Sequence, residues 1–288
     1  MQAVKKILCP IDFSETSHII IEKAVALAKI HDAEVVLLYV VHKLSRLVGH
    51  FYGFNTTEED WFQLLEQQIQ AKTSTLLMNL IENEIPSEVK SSFEVGYGKV
   101  SAEIVRVAEA IKADIILMAM ETADALAKVP LANYVTQVIS AAPCPVLTYH
   151  KIEETADYSK ILLPIDLRLG LENISTHLIR FFAPQNPDIQ LITVINPESS
   201  ESQIKKSKKQ LSLYINHFKE KGIENVSVKV ILGKNIGGAI NDYAVAASFR
   251  MIMMNAYRSE GFSLNIIGST THNVVTRSRV PVFSCKMK

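Results

Sequence analysis

The chain lacks an excess of charge of either sign: Lys plus Arg and Asp plus Glu number 30 each in its 288 residues. That balance excludes the long-range field with which a protein holds nucleic acid or an anionic membrane. No apolar run reaches the ~18 residues that a membrane span needs. The start, Met1-Gln2-Ala3-Val4-Lys5-Lys6, passes almost at once into a strand-like segment, so no cleavable signal is expected and the location expected is cytoplasmic. Cysteine is scarce as well. Cys9, Cys144 and Cys285 are odd in number, far apart, and each in or beside an apolar run. Buried thiols in a reducing compartment account for them most simply, and no cluster of metal ligands accompanies them. The eight histidines form no His-Glu-x-x-His pattern. Neither a Gly-x-Ser-x-Gly elbow nor an activated-thiol context is present. What the chain does have is 48% hydrophobic and 21% charged residues, enough for ordinary cores, at a length typical of about two domains.

An internal repeat organises it. Ile7-Leu8-Cys9-Pro10-Ile11-Asp12 returns as Ile161-Leu162-Leu163-Pro164-Ile165-Asp166, an offset of 154 (166 − 12). The offset holds through Val35-Val36-Leu37-Leu38-Tyr39-Val40 and Ile189-Gln190-Leu191-Ile192-Thr193-Val194. Near the end of each copy, Pro143-Cys144-Pro145-Val146 matches Arg279-Val280-Pro281-Val282 at an offset of 136 (281 − 145), so the second copy is shorter by 18 (154 − 136). Residues 42–59, with Gly49, Phe51, Tyr52, Gly53 and Phe54, are the candidate extra loop of the first copy. The polar stretch 151–157 reads as a linker between domains at 1–150 and 158–288.

Within the first copy, strand-like segments are expected at 7–11, 35–41, 89–95, 115–120 and 145–149. Ser14 stands as an N-cap before Ile20, Ala24, Leu27 and Ala28 at helical spacing. A long helix follows the second strand (Trp61, Leu64, Leu65, Ile69, Leu76, Leu77, Leu80), another carries Ile104, Val107, Ala108 and Ile111, and a short one lies around 134–140. Strands apolar on both faces, alternating with helices, imply an α/β fold: two tandem doubly wound, mostly parallel five-stranded sheets flanked by helices. The ligand crevice of such a sheet lies beyond the carboxyl ends of the strands, where strand order reverses. Asp12 and Asp166, and the segments after Met120 and Met254, face it.

The opening Ile-Leu-Cys-Pro-Ile-Asp-Phe-Ser, the Ala-rich helix and the closing Ala-Pro-Cys-Pro-Val-Leu at 142–147 are similar to the universal stress proteins, and the resemblance covers nearly the whole chain, once per half. It implies an adenine nucleotide alpha hydrolase-like fold that binds ATP or AMP in one branch of the family and no nucleotide in another. In the binding branch the Asp ending the first strand meets adenine, and a Gly-x2-Gly-x9-Gly-Ser/Thr loop after the fourth strand holds ribose and phosphates. Glycine there lets backbone N–H groups approach phosphate beside a helix N-terminus.

This loop is degenerate. The first copy has Ala119, Thr122 and Ala132-Asn133 at the motif positions, and the second has Asn255, Arg258 and Gly268-Ser269. The candidate nucleotide residues of the second copy are therefore Pro164, Ile165, Asp166, Gly233, Asn255, Arg258, Gly268, Ser269 and Thr270. Their degenerate equivalents are Pro10, Ile11, Asp12, Gly96, Ala119, Thr122, Ala132 and Asn133. Each site has a plainer reading beside the ligand one. Ser269 or Thr270 caps a helix, Arg258 is solvated, and Asp12 and Asp166 fix a turn. The Gly233-Lys234-Asn235-Ile236-Gly237-Gly238 segment lacks the Lys-Ser/Thr of a phosphate loop, and its counterpart Gly96-Tyr97-Gly98-Lys99 sits at the same turn. Lys205-Lys206-Ser207-Lys208-Lys209 reads as the solvated face of a helix.

The function expected is that of a non-enzymatic stress-response protein acting through unidentified protein partners or a small ligand, with an AMP- or ATP-binding sensor using the second half as the alternative. An enzyme would need a phosphate cradle, usually a metal, and a positioned base or water, and the sequence supplies neither a complete cradle nor an acidic metal cluster. No nucleic-acid or membrane partner is expected. The resemblance also implies that the halves pack as an internal pseudo-dimer through 146–149 and 282–285, with a homodimer of whole chains left open.

Overall fold

The computed structural model describes residues 4–41, 58–120, 132–150, 157–168, 181–182, 185–256 and 267–286, with 58–66, 132–133, 150 and 286 described by backbone alone. The 42–57 loop, the 151–156 part of the linker, Thr122 and Arg258 lie outside the described residues. The first half runs β1 (Lys6–Ile11), α1 (Glu15–His31), β2 (Glu34–Val41), α2 (Glu58–Glu84), β3 (Ser91–Tyr97), α3 (Val100–Ala110), β4 (Ile115–Met120), α4 (Ala132–Ala141) and β5 (Val146–His150). The second runs β6 (Lys160–Pro164), β7 (Asp188–Ile195), α5 (Glu201–Lys219), β8 (Val226–Leu232), α6 (Ile236–Ala246), β9 (Met251–Ala256), α7 (Ser269–Arg277) and β10 (Val282–Lys286).

The strands join in one ten-stranded sheet, ordered β3-β2-β1-β4-β5-β10-β9-β6-β7-β8. Each half contributes five parallel strands, and the order reverses between β1 and β4 and again between β6 and β9. The halves meet through one antiparallel pair, with Val282, Phe283 and Ser284 opposite Thr148, Leu147 and Val146. The expected pseudo-dimer is therefore a continuous sheet.

Alternation of side chains explains the double covering. Ile7 and Cys9 point into a core under α1, while Leu8 points into a second core under α3 and α4. In the second half, Leu163 and Leu191 meet Leu211, Tyr214 and Phe218 of α5, whereas Leu162 and Ile192 meet Ile240 of α6 and Val274 of α7. Both cores cross the junction without a break. On the α1/α5 side the junction is aromatic: Phe283 lies 5.4 Å from Phe181 and 5.1 Å from Phe182, ring to ring, and the buried hydroxyls of Tyr149 and Tyr158 bond to each other.

Two local expectations shift. The third strand begins at Ser91, because Pro86 turns the chain and the amide of Val89 closes that turn on the Pro86 carbonyl at 2.9 Å. Val89 is buried as a turn residue, so its apolar character does not mark a strand. Ser14 holds the N-cap position of α1, but its hydroxyl turns back to Asp12 instead of capping the helix. Among the described residues, no helix is long and apolar enough to cross a membrane.

Candidate functional site

Beyond the carboxyl ends of β9, β6 and β7 the second half opens a cleft of about 840 Å³. Pro164, Ile165 and Asp166 line it just after β6. Asn255 of β9 and Gly268, Ser269, Thr270 and Thr271 at the start of α7 line one end. Ile236 and Ile240 of α6 give one wall an apolar surface. From the opposite face of the sheet, α5 presents Gln203, Lys206, Ser207 and Gln210.

The start of α7 faces the cleft. The first intrahelical bond at the helix start runs from the His272 amide to the Gly268 carbonyl; the three amides before it point out of the helix end, as the geometry of any helix start requires. Gly268 is the N-cap, and no side chain caps the turn. The expectation that Ser269 or Thr270 caps the helix is thus replaced: both lie inside its first turn. Gly268 is also unlike its neighbours. A Cβ at Gly233 would stand 2.6 Å from Ala239 Cβ, and one at Gly237 would stand 2.8 Å from Asn273 Cβ, so packing requires those glycines. A Cβ at Gly268 meets no atom of the described residues within 4 Å, and its φ of −56° suits any residue. Among the described residues, neither packing nor backbone conformation calls for glycine there.

Asp166 is engaged from its own loop. Its Oδ1 accepts from the Arg168 amide at 3.0 Å and from Nε at 2.8 Å, and its Oδ2 accepts from Nε at 3.1 Å and from an Arg168 terminal nitrogen. This bidentate bond holds the carboxyl below the usual carboxylate range against the opposing effect of partial burial.

The cleft gathers Pro164, Ile165, Asp166, Asn255, Gly268, Ser269 and Thr270 from the residues singled out in the sequence. Gly233 does not line it. It ends the β8 turn against Ala239, and Asn235 beside it caps α6 by accepting from the Gly238 amide at 3.2 Å. Arg258 is outside the described residues.

The first half differs at the matching positions. Asp12 Oδ1 accepts from the Ser14 amide at 3.1 Å and from the hydroxyls of Ser14 and Ser17, so it holds the turn into α1. Pro10 and Ile11 belong to β1, Ala119 to β4, and Ala132 and Asn133 to the first turn of α4. Gly96 packs close to Glu103 of α3. Phe13 and Tyr39 stack with ring centroids 4.9 Å apart; at the 154-residue offset these become Leu167 and Thr193, which line the second-half cleft. Aromatic rings in the first half stand where smaller side chains line the cleft of the second.

Sequence reasoning missed the α5 wall. The basic run was expected to be solvated throughout, yet Lys206 lines the cleft while Lys205, Lys208 and Lys209 do not. The signal was present in the spacing. Gln203, Lys206, Ser207 and Gln210 recur at i, i+3, i+4 and i+7, off the buried Leu211, Tyr214 and Phe218 stripe.

Fold and cleft together define a tandem α/β protein with a crevice of about 840 Å³ in its second half. The model of the family described as "Universal stress protein family" matches residues 3–150 and 157–286, and the chain belongs to that family. Membership supports a stress-response role. Universal stress protein MJ0531 of Methanocaldococcus jannaschii is 33% identical over 147 residues, covering 51% of this chain and 82% of that protein. Universal stress protein MJ0577 of the same organism is 29% identical over 153 residues, covering 50% of this chain and 93% of that protein. In three dimensions, a universal stress protein from Archaeoglobus fulgidus shares the fold with a TM-score of 0.69 at 20% identity, over 98% of both chains. Protein PA1789 of Pseudomonas aeruginosa follows at 0.60 and 14% identity, over 99% of this chain and 93% of its own.

Proposed function

We propose that the second half binds an adenine nucleotide, AMP or ATP, without turning it over, and that the protein is a cytoplasmic stress-response sensor working through protein contacts. Residues 1–150 and 158–288 are the two units on this reading, joined by 151–157. Gly268 carries it. This is a glycine whose Cβ would meet none of the described residues, at the start of a helix whose first amides face a cleft of about 840 Å³. Close approach of a phosphate to the backbone is a physical reason for glycine at such a place. Pro164, Ile165, Asp166, Asn255, Ser269 and Thr270 complete the contact set, and Arg258 is assigned to it from the loop motif alone.

The first half serves as a partner in the sheet. Asp12 is bound up in its own turn, and Phe13 and Tyr39 occupy the positions that are open in the second half. Catalysis is disfavoured by the state of Asp166. A carboxylate held in a bidentate bond to Arg168 and titrating low is a poor general base, and among the described residues it is the acidic one lining the cleft.

The test is calorimetric titration of the intact protein with AMP and ATP, with and without magnesium, beside a phosphate-release assay. Binding at one site per chain, abolished by Gly268→Val, is expected, with phosphate release at background. Absence of heat at millimolar nucleotide would sink the nucleotide reading, and steady turnover would sink its non-catalytic part.

A further inference from the structure

The two halves differ most in how the helix after their second strand is delivered. In the second half only residues 196–200 separate β7 from α5, whereas 42–57 separate β2 from α2. Ser200 starts α5 with a reciprocal cap: it accepts from the Gln203 amide at 3.4 Å, and its own amide donates to Gln203 Oε1 at 2.7 Å. Leu211, Tyr214 and Phe218, all buried, set the helix's rotation on the sheet. Further along, Gln210 Nε2 donates to the Leu167 carbonyl at 2.8 Å and ties α5 to the loop that carries Asp166. A short connection, a fixed start and a fixed rotation bring Lys206 to the lip of the cleft.

The charge count there is one-sided. Among the described residues, Asp166, Arg168 and Lys206 are the charged ones lining the cleft. The first two close on each other. Glu198, in the connection leading to α5, pairs with Lys234 at 3.6 Å. Among the described residues no ion pair involves Lys206. The α7 start adds a positive end worth roughly half an elementary charge. The cleft is therefore a cationic concavity with one apolar wall.

We propose that Lys206 is the cation that fixes the charged group of the ligand, so that the cleft selects phosphorylated ligands over neutral ones of the same shape. The inference rests on the nucleotide reading for the ligand's identity, but its electrostatic content stands on Lys206 and the α7 start. Lys206 acts as a specificity residue: its ammonium donates to a phosphate oxygen across the cleft from the α7 amides. Lys205, Lys208 and Lys209 sit on the same helix, are exposed and do not line the cleft. They are internal controls for loss of one charge.

The experiment is calorimetric titration of the full chain with ATP, adenosine and inorganic pyrophosphate at two ionic strengths, for the natural protein, Lys206→Gln and Lys209→Gln. Both lysines are exposed, so folding is preserved. Lys206→Gln is expected to weaken ATP about five- to tenfold, to flatten the salt dependence and to leave adenosine unchanged, while Lys209→Gln changes affinity less than about twofold. Equal effects of the two substitutions, or adenosine binding as tightly as ATP, overturn the proposal. Pyrophosphate binding that depends on Lys206 without any nucleotide binding would keep this inference and remove the nucleotide reading. ATP binding indifferent to Lys206 does the reverse, and no binding by either probe removes both.

Discussion

Replacing Phe283 by Ala tests the junction on which the fold's unity depends. The ring is fully buried, stands opposite Leu147 across the antiparallel pair, and packs against Phe181 and Phe182. Truncating such a ring costs about 3–5 kcal/mol, as lost transfer energy plus a cavity that neighbours only partly fill. In the intact chain this loss appears as a lower denaturant midpoint with little change in slope. A sharper assay follows from where the ring sits. With a protease site placed within 151–156 and cut, the halves remain together only through non-covalent contacts, the β5–β10 pair, the shared cores and the Tyr149–Tyr158 and His31–Phe181 bonds, without the effective concentration that the covalent link provides. The cut natural protein is expected to run as one species at micromolar concentration. Cut Phe283→Ala is expected to dissociate, since 3 kcal/mol or more is a loss of over about a hundredfold in affinity. Phe218→Ala is the control: equally buried, it lies under α5 in the core of the second half, so it lowers stability and leaves the cut halves paired. Separation of the cut natural protein at micromolar concentration, or a cost for Phe283→Ala below about 1 kcal/mol, would refute the reasoning.

Arg168→Ala should raise the titration of the Asp166 carboxyl toward its ordinary value of ~3.9, seen by carboxyl-carbon NMR. A lowered folded value stabilises above the unfolded pKa and is lost as pH falls through the folded one. The natural protein's advantage over Arg168→Ala, held to less than about 1 kcal/mol by exposure of the arginine, should therefore vanish in strong acid. An unmoved carboxyl refutes the pairing. Gly237→Ala sets two effects against each other: about 1 kcal/mol of helix propensity gained in α6, against a Cβ 2.8 Å from Asn273 Cβ. Asn273 Cβ is bound directly to the α7 backbone and cannot swing away, so a net loss of about 1–2 kcal/mol by urea titration is expected; a stabilised variant would mean that the helices part freely. Asp12→Ala frees the Ser14 amide and the hydroxyls of Ser14 and Ser17, and should cost about 1–2 kcal/mol in thermal unfolding. No change would mean that water replaces the carboxylate without loss.

Much of the architecture was legible because it is written in apolar patterning. Residues such as Leu162 and Leu163, adjacent and both buried, sit on opposite faces of β6, and such runs separated by helices leave little choice but a covered parallel sheet. The junction came from the resemblance to the universal stress proteins, which implied 146–149 against 282–285; the strands meet there, with Val146 opposite Ser284 and Val282 opposite Thr148. The cleft was less legible. Backbone motifs pointed to Asp166 and Gly268, whose neighbours are close in sequence. Gln203, Lys206 and Gln210 reach it only through the rotation of α5, which Leu211, Tyr214 and Phe218 set by burial. The spacing of those residues groups them on one helix face, but which face meets the crevice shows only once α5 is docked. Gly233 misled for the converse reason: in sequence, a glycine demanded by Ala239 looks the same as one demanded by a ligand.

The asymmetry of the halves follows from duplication within one sheet. Each half needs an acceptor after its first strand to start the next segment, and each has an Asp there. In the first half Ser14 and Ser17 consume it and the helix α1 begins at once. In the second, Arg168 stands at the position of Ser14 and reaches the same carboxylate from a side chain that is 87% exposed. In the first arrangement Phe13 packs against Tyr39; in the second Leu167 and Thr193 line the cleft. Because both cores run unbroken through β5 and β10, the first half buttresses the second. On the proposed reading this division makes one binding site per chain the natural outcome. Filling the second cleft with the first half's residues, by Leu167→Phe with Thr193→Tyr, should then abolish nucleotide binding while leaving the unfolding midpoint unchanged or raised. Undiminished binding by that double variant, measured by the same calorimetry, would place the ligand elsewhere.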